Sequence, residues 1–172
     1  PMSNNFEKNI INIEADLLSD CIFRRTEAAY TLSTLEPNYD QLLYCLKSKS
    51  HELVCFALIK ITCIKKTDDT DIFISLLKHN DSRIREKAFL LIKKLLHDKN
   101  ISKFINNPKI QKLIIEGLND TNPKVCRYII YILLYIKNKI YSIRQIIEII
   151  NNSDNIATVY WCLYAIENLL TS

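Results

Sequence analysis

Residues 75–96 read SLLKHNDSRIREKAFLLIKKLL, two apolar runs joined by the polar turn HNDS. In the second run Ile84, Ala88, Ile92 and Leu95 recur at helical spacing and share one face. Asp81 and Ser82 supply a helix start between the runs. The stretch predicts one helix turning back on another.

The same frame recurs along the chain. Ala28 stands with Arg24, Leu32 and Leu35; Ala57 stands with Leu53, Ile61 and Ile64. Ile129 stands with Val125, Leu133 and Ile136. Trp161 stands with Ala157, Ala165 and Asn168, and Leu169 is next door. Successive anchors are 29, 31, 41 and 32 residues apart. Each follows a shorter apolar run, at 10–18, 42–46, 72–77, 110–118 and 143–150. The long gap holds an extra segment, ISKFINNPKI (101–110), read as a short helix or loop.

A near-constant period of helical hairpins predicts an all-α fold, an α-solenoid of about five stacked repeats. They are expected at about 4–36, 38–66, 69–98, 108–138 and 142–170, with an insertion at 99–107, in one domain over 2–172. One glycine and four prolines in 172 residues leave little for strands joined by tight turns. Asn107-Pro108 and Asn122-Pro123 each offer a cap followed by proline at the first helical position. Ser50 is another helix start, and Ser142 with Gln145 reads as a capping box.

Six cysteines, at 21, 45, 55, 63, 126 and 162, form no CxxC pair and no zinc-finger spacing. They read as reduced thiols used as small hydrophobes. Pro1 ahead of Met2 reads as a cloning remnant, and no secretory signal follows. The longest apolar run, 128–136, is far short of the roughly 20 residues that span a bilayer. The expectation is a soluble cytoplasmic protein with no membrane partner.

At these residues a resemblance emerges. LLKHNDSRIREKAFLLI (76–92) resembles a HEAT repeat: a Leu-rich first helix, an Asp-containing turn, then Val-Arg and a small residue on the second helix. LNDTNPKVCRYII (118–130) fits with Asp120 and Val125 but has Cys126 where Arg is usual. DCIFRRTEAAYTL (20–32) keeps Arg25 and Ala28; Val54 and Thr158 depart from the Arg position. The resemblance covers nearly the whole chain. It implies a right-handed stack of antiparallel helix pairs, with second helices lining a concave wall. It also implies that Arg25 and Arg85 pack in their own turns and bond the Asp of a neighbouring repeat.

In such a stack the terminal hairpins should be polar outside. Asn4, Asn5, Glu7, Lys8, Glu14 and Asp16 suit the first. The last, IATVYWCLYAIENLL (156–170), is apolar nearly all round. That predicts either further chain beyond 172 or a partner on that end.

Nothing in the sequence calls for catalysis. There is no HExxH, no phosphate loop and no GxSxG, and one glycine cannot build a glycine-lined phosphate cradle. Deoxyhypusine hydroxylase, of similar architecture, holds two irons with repeated His-Glu pairs. Here only His51-Glu52 occurs, at a helix start. No catalytic residue, metal or cofactor is expected.

The informative feature is the second-helix side opposite the core, centred two residues after each anchor. Those positions are Tyr30, Ile59, Leu90, Tyr131 and Leu163, all apolar or aromatic. Around them lie Cys55, Cys63, Leu134, Tyr135 and Ile166, with Arg83, Lys93, Lys94, Lys124 and Arg127. The chain carries +4 overall, yet residues 83–145 hold 14 Lys and Arg against 4 Asp and Glu.

Read together, these predict an apolar ridge in a groove rimmed by positive charge, with Tyr30, Ile59, Leu90, Lys94, Arg127, Tyr131, Tyr135 and Leu163 contacting a partner. The alternative is that tight curvature buries the column between neighbouring helices; solvent exposure distinguishes the two. The expected function is a non-catalytic protein–protein interaction module, an adaptor or an inhibitor of the immunity type. Its partner is a protein or peptide of acidic character, and a second copy of the chain is another occupant of the ridge.

A nucleic-acid reading stands beside it. The alkylpurine DNA glycosylases resemble this fold in using HEAT-like repeats and a basic concave surface, and Tyr128, Tyr131 and Tyr135 are placed to stack bases. An apolar ridge is a poor floor for a polyanion, however, and no counterpart to that family's catalytic acidic residue is found.

Overall fold

A computed structural model describes residues 2–63 and 70–172. Ile64, the end of the expected second repeat and the start of the third fall outside the described residues. All regular structure among the described residues is helical. The chain divides into two compact units, Pro1–Ile61 and Thr62–Ser172.

The first unit has four helices: α1 (Met2–Leu17), α2 (Ile22–Ser33), α3 (Tyr39–Cys45) and α4 (His51–Lys60). α1 packs on α2, α3 on α4, and α1 on α3. Ile10, Ile13 and Leu17 of α1 and Ala28 and Leu32 of α2 are buried, as are Leu53, Val54, Ala57 and Leu58 of α4. α3 starts in a full capping box, with Asn38 and Gln41 each accepting the other's backbone N–H. Ser50 caps α4 by accepting from Leu53 N–H.

Glu14 is not merely one of the polar residues dressing the first helix. Its Oε1 accepts from Ser48 Oγ at 2.6 Å and Lys49 N–H at 2.7 Å, tying α1 to the α3–α4 turn. Those donors, Ser48 foremost, hold its carboxyl below the usual range against the opposing pull of partial burial.

The second unit contains α5 (Thr70–Leu77), α6 (Ser82–Lys94), α7 (Lys99–Ile105), α8 (Pro108–Glu116), α9 (Pro123–Leu133), α10 (Lys139–Asn151) and α11 (Ile156–Thr171). A 3₁₀ turn at Gly117–Asn119 ends α8. The packing has two layers. α8 touches both α5 and α10; α9 touches both α6 and α11. Cross-packing of α5 on α6 and α10 on α11 joins the layers, and Ile84, Ala88, Ile92, Val125, Ile129 and Leu133 fill the space between. The single glycine sits where α6 and α9 approach closest to the end of α8. A Cβ on Gly117 would lie 2.5 Å from Ile129 Cδ1 and 3.3 Å from Phe89 Cζ.

The extra segment is a helix that joins the core. Ile101, Phe104 and Ile105 of α7 are buried, each contributing on the order of 2 kcal/mol relative to exposure. Asp98 caps α7, and Asn106 just after it accepts Lys137 N–H at 2.9 Å.

Asn107-Pro108 and Asn122-Pro123 open α8 and α9, the Asn side chains accepting from Lys109 and Lys124 N–H. Asp81 caps α6. Two expectations need correction. Ser142 is not a cap: α10 begins three residues earlier at Lys139, capped by Asn138, and Ser142 Oγ donates back to the Asn138 carbonyl at 3.3 Å. Trp161 is not the core anchor of α11. Ala165 and Leu169 are buried as the frame has them, whereas Ala157 is exposed and Trp161 and Asn168 are half-exposed; Thr158 and Cys162, one residue on, take the core positions of Ala157 and Trp161.

Candidate functional site

The turns carry a polar ladder. Arg85 meets both carboxylate oxygens of Asp120, at 2.6 Å from Nε and 2.9 Å from Nη2. Its Nη1 also donates to the His79 and Asn80 carbonyls. Both ion-pair side chains are largely buried, so Arg85 is a turn residue and is spent there. Cys126 fills the corresponding position one repeat on, its Sγ 3.6 Å from the Leu118 carbonyl and 3.5 Å from that of Asp120. In α11 Thr158 takes this place and donates to Asn119 Oδ1 at 2.6 Å. Arg25 makes a simpler, exposed version, donating to the Ser19 carbonyl.

The column positions are not buried. In the first unit Tyr30 is 73 % exposed and Ile59 55 %. Tyr30 borders an open hollow with Asp16 and Glu27, so its surroundings include carboxylates. In the second unit Leu90 is half-buried, Tyr131 is 42 % exposed and Leu163 56 %. With the corrected register the α11 residue two past the anchor is Tyr164. It stacks with Tyr160, ring centroids 6.3 Å apart, on the same exposed side as Leu163.

The densest arrangement lies across α6 and α9. Three pairings step along both helices in the same order. Glu86 accepts from Asn122 Nδ2 at 3.1 Å and pairs with Lys124 Nζ at 3.5 Å. Next, Lys93 Nζ sits 5.4 Å from the Tyr128 ring centroid and 5.0 Å from that of Tyr131. Beyond the end of α6, His97 meets Tyr135 edge-on at 5.8 Å. The two helices therefore run side by side in the same direction. Leu90 and Lys94 lie one turn apart on α6, and Arg127 and Tyr131 lie one turn apart on α9.

Tyr131 and Tyr135 are tilted against each other at 5.7 Å, and the side-chain hydrogen bond that the Tyr135 hydroxyl makes to Tyr131 raises the Tyr135 phenol above its usual range. Lys94 and Arg127 are exposed, and neither has a carboxylate partner among the described residues. The structure thus packs side by side the helix that carries Leu90 and Lys94 and the helix that carries Arg127 and Tyr131, and it brings Tyr131 and Tyr135 together. Sequence reasoning gave no role to Lys93 as a clamp over two rings, to His97, or to Glu86; the 93–97 spacing at the end of α6 was the available signal.

No group of three His, Cys, Asp or Glu side chains gathers to hold a metal among the described residues. No described helix is long and apolar enough to cross a membrane. All six cysteines are free thiols, with Cys45, Cys126 and Cys162 buried. Burial pushes each of those three up to about 11.

The sequence matches no family model and no curated protein. Among solved structures, the chain is similar to two engineered proteins. The first aligns at TM-score 0.54 and 16% identity over 92% of this chain and 78% of that one. The second aligns at TM-score 0.53 and 16% identity over 93% and 80%. It is also similar to a designed armadillo repeat protein in complex with the peptide (KR)4, at TM-score 0.52 and 12% identity over 91% and 80%. At such identity the likeness concerns fold alone, and with the all-helical architecture it makes this chain a helical repeat solenoid.

Proposed function

We propose that this chain is a non-catalytic, HEAT-type repeat module that holds a protein or peptide segment against its second helices. The observation that carries the reading is the α6–α9 face. An exposed aromatic row on α9 lies beside Leu90, flanked by Lys94 and Arg127, and the monomer does not cover it. Exposed aromatic and arginine side chains on a rigid scaffold are the usual anchors of protein interfaces. The two-layer packing supplies that scaffold, because both helices are held from behind by buried Ile84, Ala88, Ile129 and Leu133.

The HEAT assignment is supported by the Arg85–Asp120 pair, which joins successive turns as that repeat type implies. The repeat units are α1–α2, α3–α4, α5–α6, α8–α9 and α10–α11, with α7 inserted. Buried single thiols suit a reducing compartment, and we place the protein in the cytoplasm on that ground. The designed armadillo protein binds a peptide, which supports the mode of binding but not the ligand: (KR)4 has the same charge sign as this face.

Selection of displayed random 12-residue peptides tests the reading. Enriched peptides should lose at least about tenfold in affinity to Tyr131→Glu, a loss typical of an interface anchor. Peptides that bind both proteins equally, or no enrichment, would overturn it.

A further inference from the structure

We infer that the α6–α9 face takes an acidic peptide segment that combines carboxylates with apolar anchors. This rests on the protein-binding reading and names the partner class. The face alternates chemistry: Leu90 then Lys94 along α6, Arg127 then Tyr131 along α9. Glu86, the one carboxylate that α6 and α9 carry, is already engaged by Asn122 and Lys124. Lys93 is held over the rings of Tyr128 and Tyr131, which adds a positive charge beside the exposed tyrosines.

Lys93, Lys94 and Arg127 therefore accompany the apolar side chains on these two helices, and Lys94 and Arg127 have no carboxylate partner among the described residues. A ligand is favoured when its potential is complementary to this one. Carboxylates next to Lys94 and Arg127, with a Leu or Phe side chain on Leu90 and Tyr131, satisfy both halves of the pattern. A nucleic-acid strand satisfies one half only. The Lys93 ammonium occupies the ring faces of Tyr128 and Tyr131 on which bases would stack, and a sugar-phosphate chain leaves the apolar patch unmatched. In the first unit Tyr30 borders a hollow with Asp16 and Glu27, so the preference belongs to the second unit.

The test uses labelled 12-residue probes built from three repeats of Glu-Glu-Leu-Phe, Gln-Gln-Leu-Phe or Lys-Lys-Leu-Phe, with a dT12 oligonucleotide as competitor. The Glu probe is expected to bind at least about tenfold more tightly than the Gln probe, and to weaken several-fold as salt rises. The double variant Lys94→Glu/Arg127→Glu, with an unchanged circular dichroism spectrum, should abolish that preference. Equal binding of the Glu and Gln probes, both lost in Tyr131→Glu, would overturn the acidic preference while leaving the protein-binding reading standing. Preference for the Lys probe, or no binding of the Glu probe, overturns the inference. Tighter binding of dT12 than of any peptide overturns both.

Discussion

Arg85 and Asp120, 35 positions apart in sequence, form a two-bond ion pair that joins the α5–α6 turn to the α8–α9 turn. The pair is partly buried, and Asp120 also accepts Asn122 N–H at 2.8 Å. Asp120→Ala strands the guanidinium and should cost about 2–3 kcal/mol. Combining it with Arg85→Met in a double-mutant cycle should give a coupling energy above about 1 kcal/mol. Urea denaturation of the four proteins measures both, and simple additivity would show that the pair is not an energetic link.

Gly117 is the chain's only glycine, and its φ of −65° asks nothing of glycine's conformational freedom. Space decides its identity instead. Gly117→Ala puts a methyl into buried Ile129 and Phe89. Overpacking costs about 1–3 kcal/mol and outweighs the roughly 0.4–1 kcal/mol gained by stiffening the unfolded chain. A net loss near 1 kcal/mol is expected in thermal unfolding; a gain in Tm would mean the Ile129 side chain rearranges at no cost.

Glu14 links pH to the first unit. Its folded-state carboxyl is held below its ordinary value by Ser48 and then by the Lys49 backbone. Its contribution is therefore full above the unfolded value near pH 4–5 and is lost as pH falls through the folded one. At neutral pH Glu14→Gln should cost about 1 kcal/mol, a figure kept small because solvent screens the site. The stability difference between wild type and variant should shrink steadily as pH falls below the unfolded value. A difference that stays constant as the solution is acidified until both proteins unfold would show that the charge is irrelevant.

The cysteines divide by environment. The N–H groups of Arg24 and Phe23 at the start of α2 hold exposed Cys21 below the usual thiol range, whereas Cys45, Cys126 and Cys162 are pushed up to about 11 by burial. A thiol-disulfide reagent at pH 7.5 should label Cys21 first and the buried three only on unfolding. Because the buried thiols stay protonated while their unfolded counterparts ionise, stability should fall between about pH 9 and pH 11. Labelling of Cys162 at the rate of Cys21 would contradict the packing of α11.

The fold was legible because apolar anchors recur and polar caps mark the turns. Ala28, Ala57, Ala88 and Ile129 are buried where the frame puts them. Legibility failed where the pattern loses phase. α11 is apolar nearly all round, so periodicity does not say which side faces α9, and a frame on Trp161 fits the sequence as well as one on Cys162. What sets the register is small and polar: Thr158 reaching Asn119, with Cys162 beneath it. α10 misled for a related reason, since Ser142 bonds a backbone carbonyl within the helix while Asn138 takes the cap. At the site, the sequence showed an apolar column and a basic stretch. It did not show that Lys93 is clamped between two tyrosines or that Glu86 is already engaged, because both depend on how α6 and α9 lie against each other.

The central claim is that the second-helix layer is the binding surface. The most direct measurement is amide chemical-shift perturbation in ¹⁵N-labelled protein titrated with the tightest display-selected peptide. Saturable shifts clustered at 86–97 and 124–135 are expected, with α5, α8 and the outer side of α10 unmoved. Shifts centred on those first helices, or on the turn that holds Arg85 and Asp120, would contradict the account.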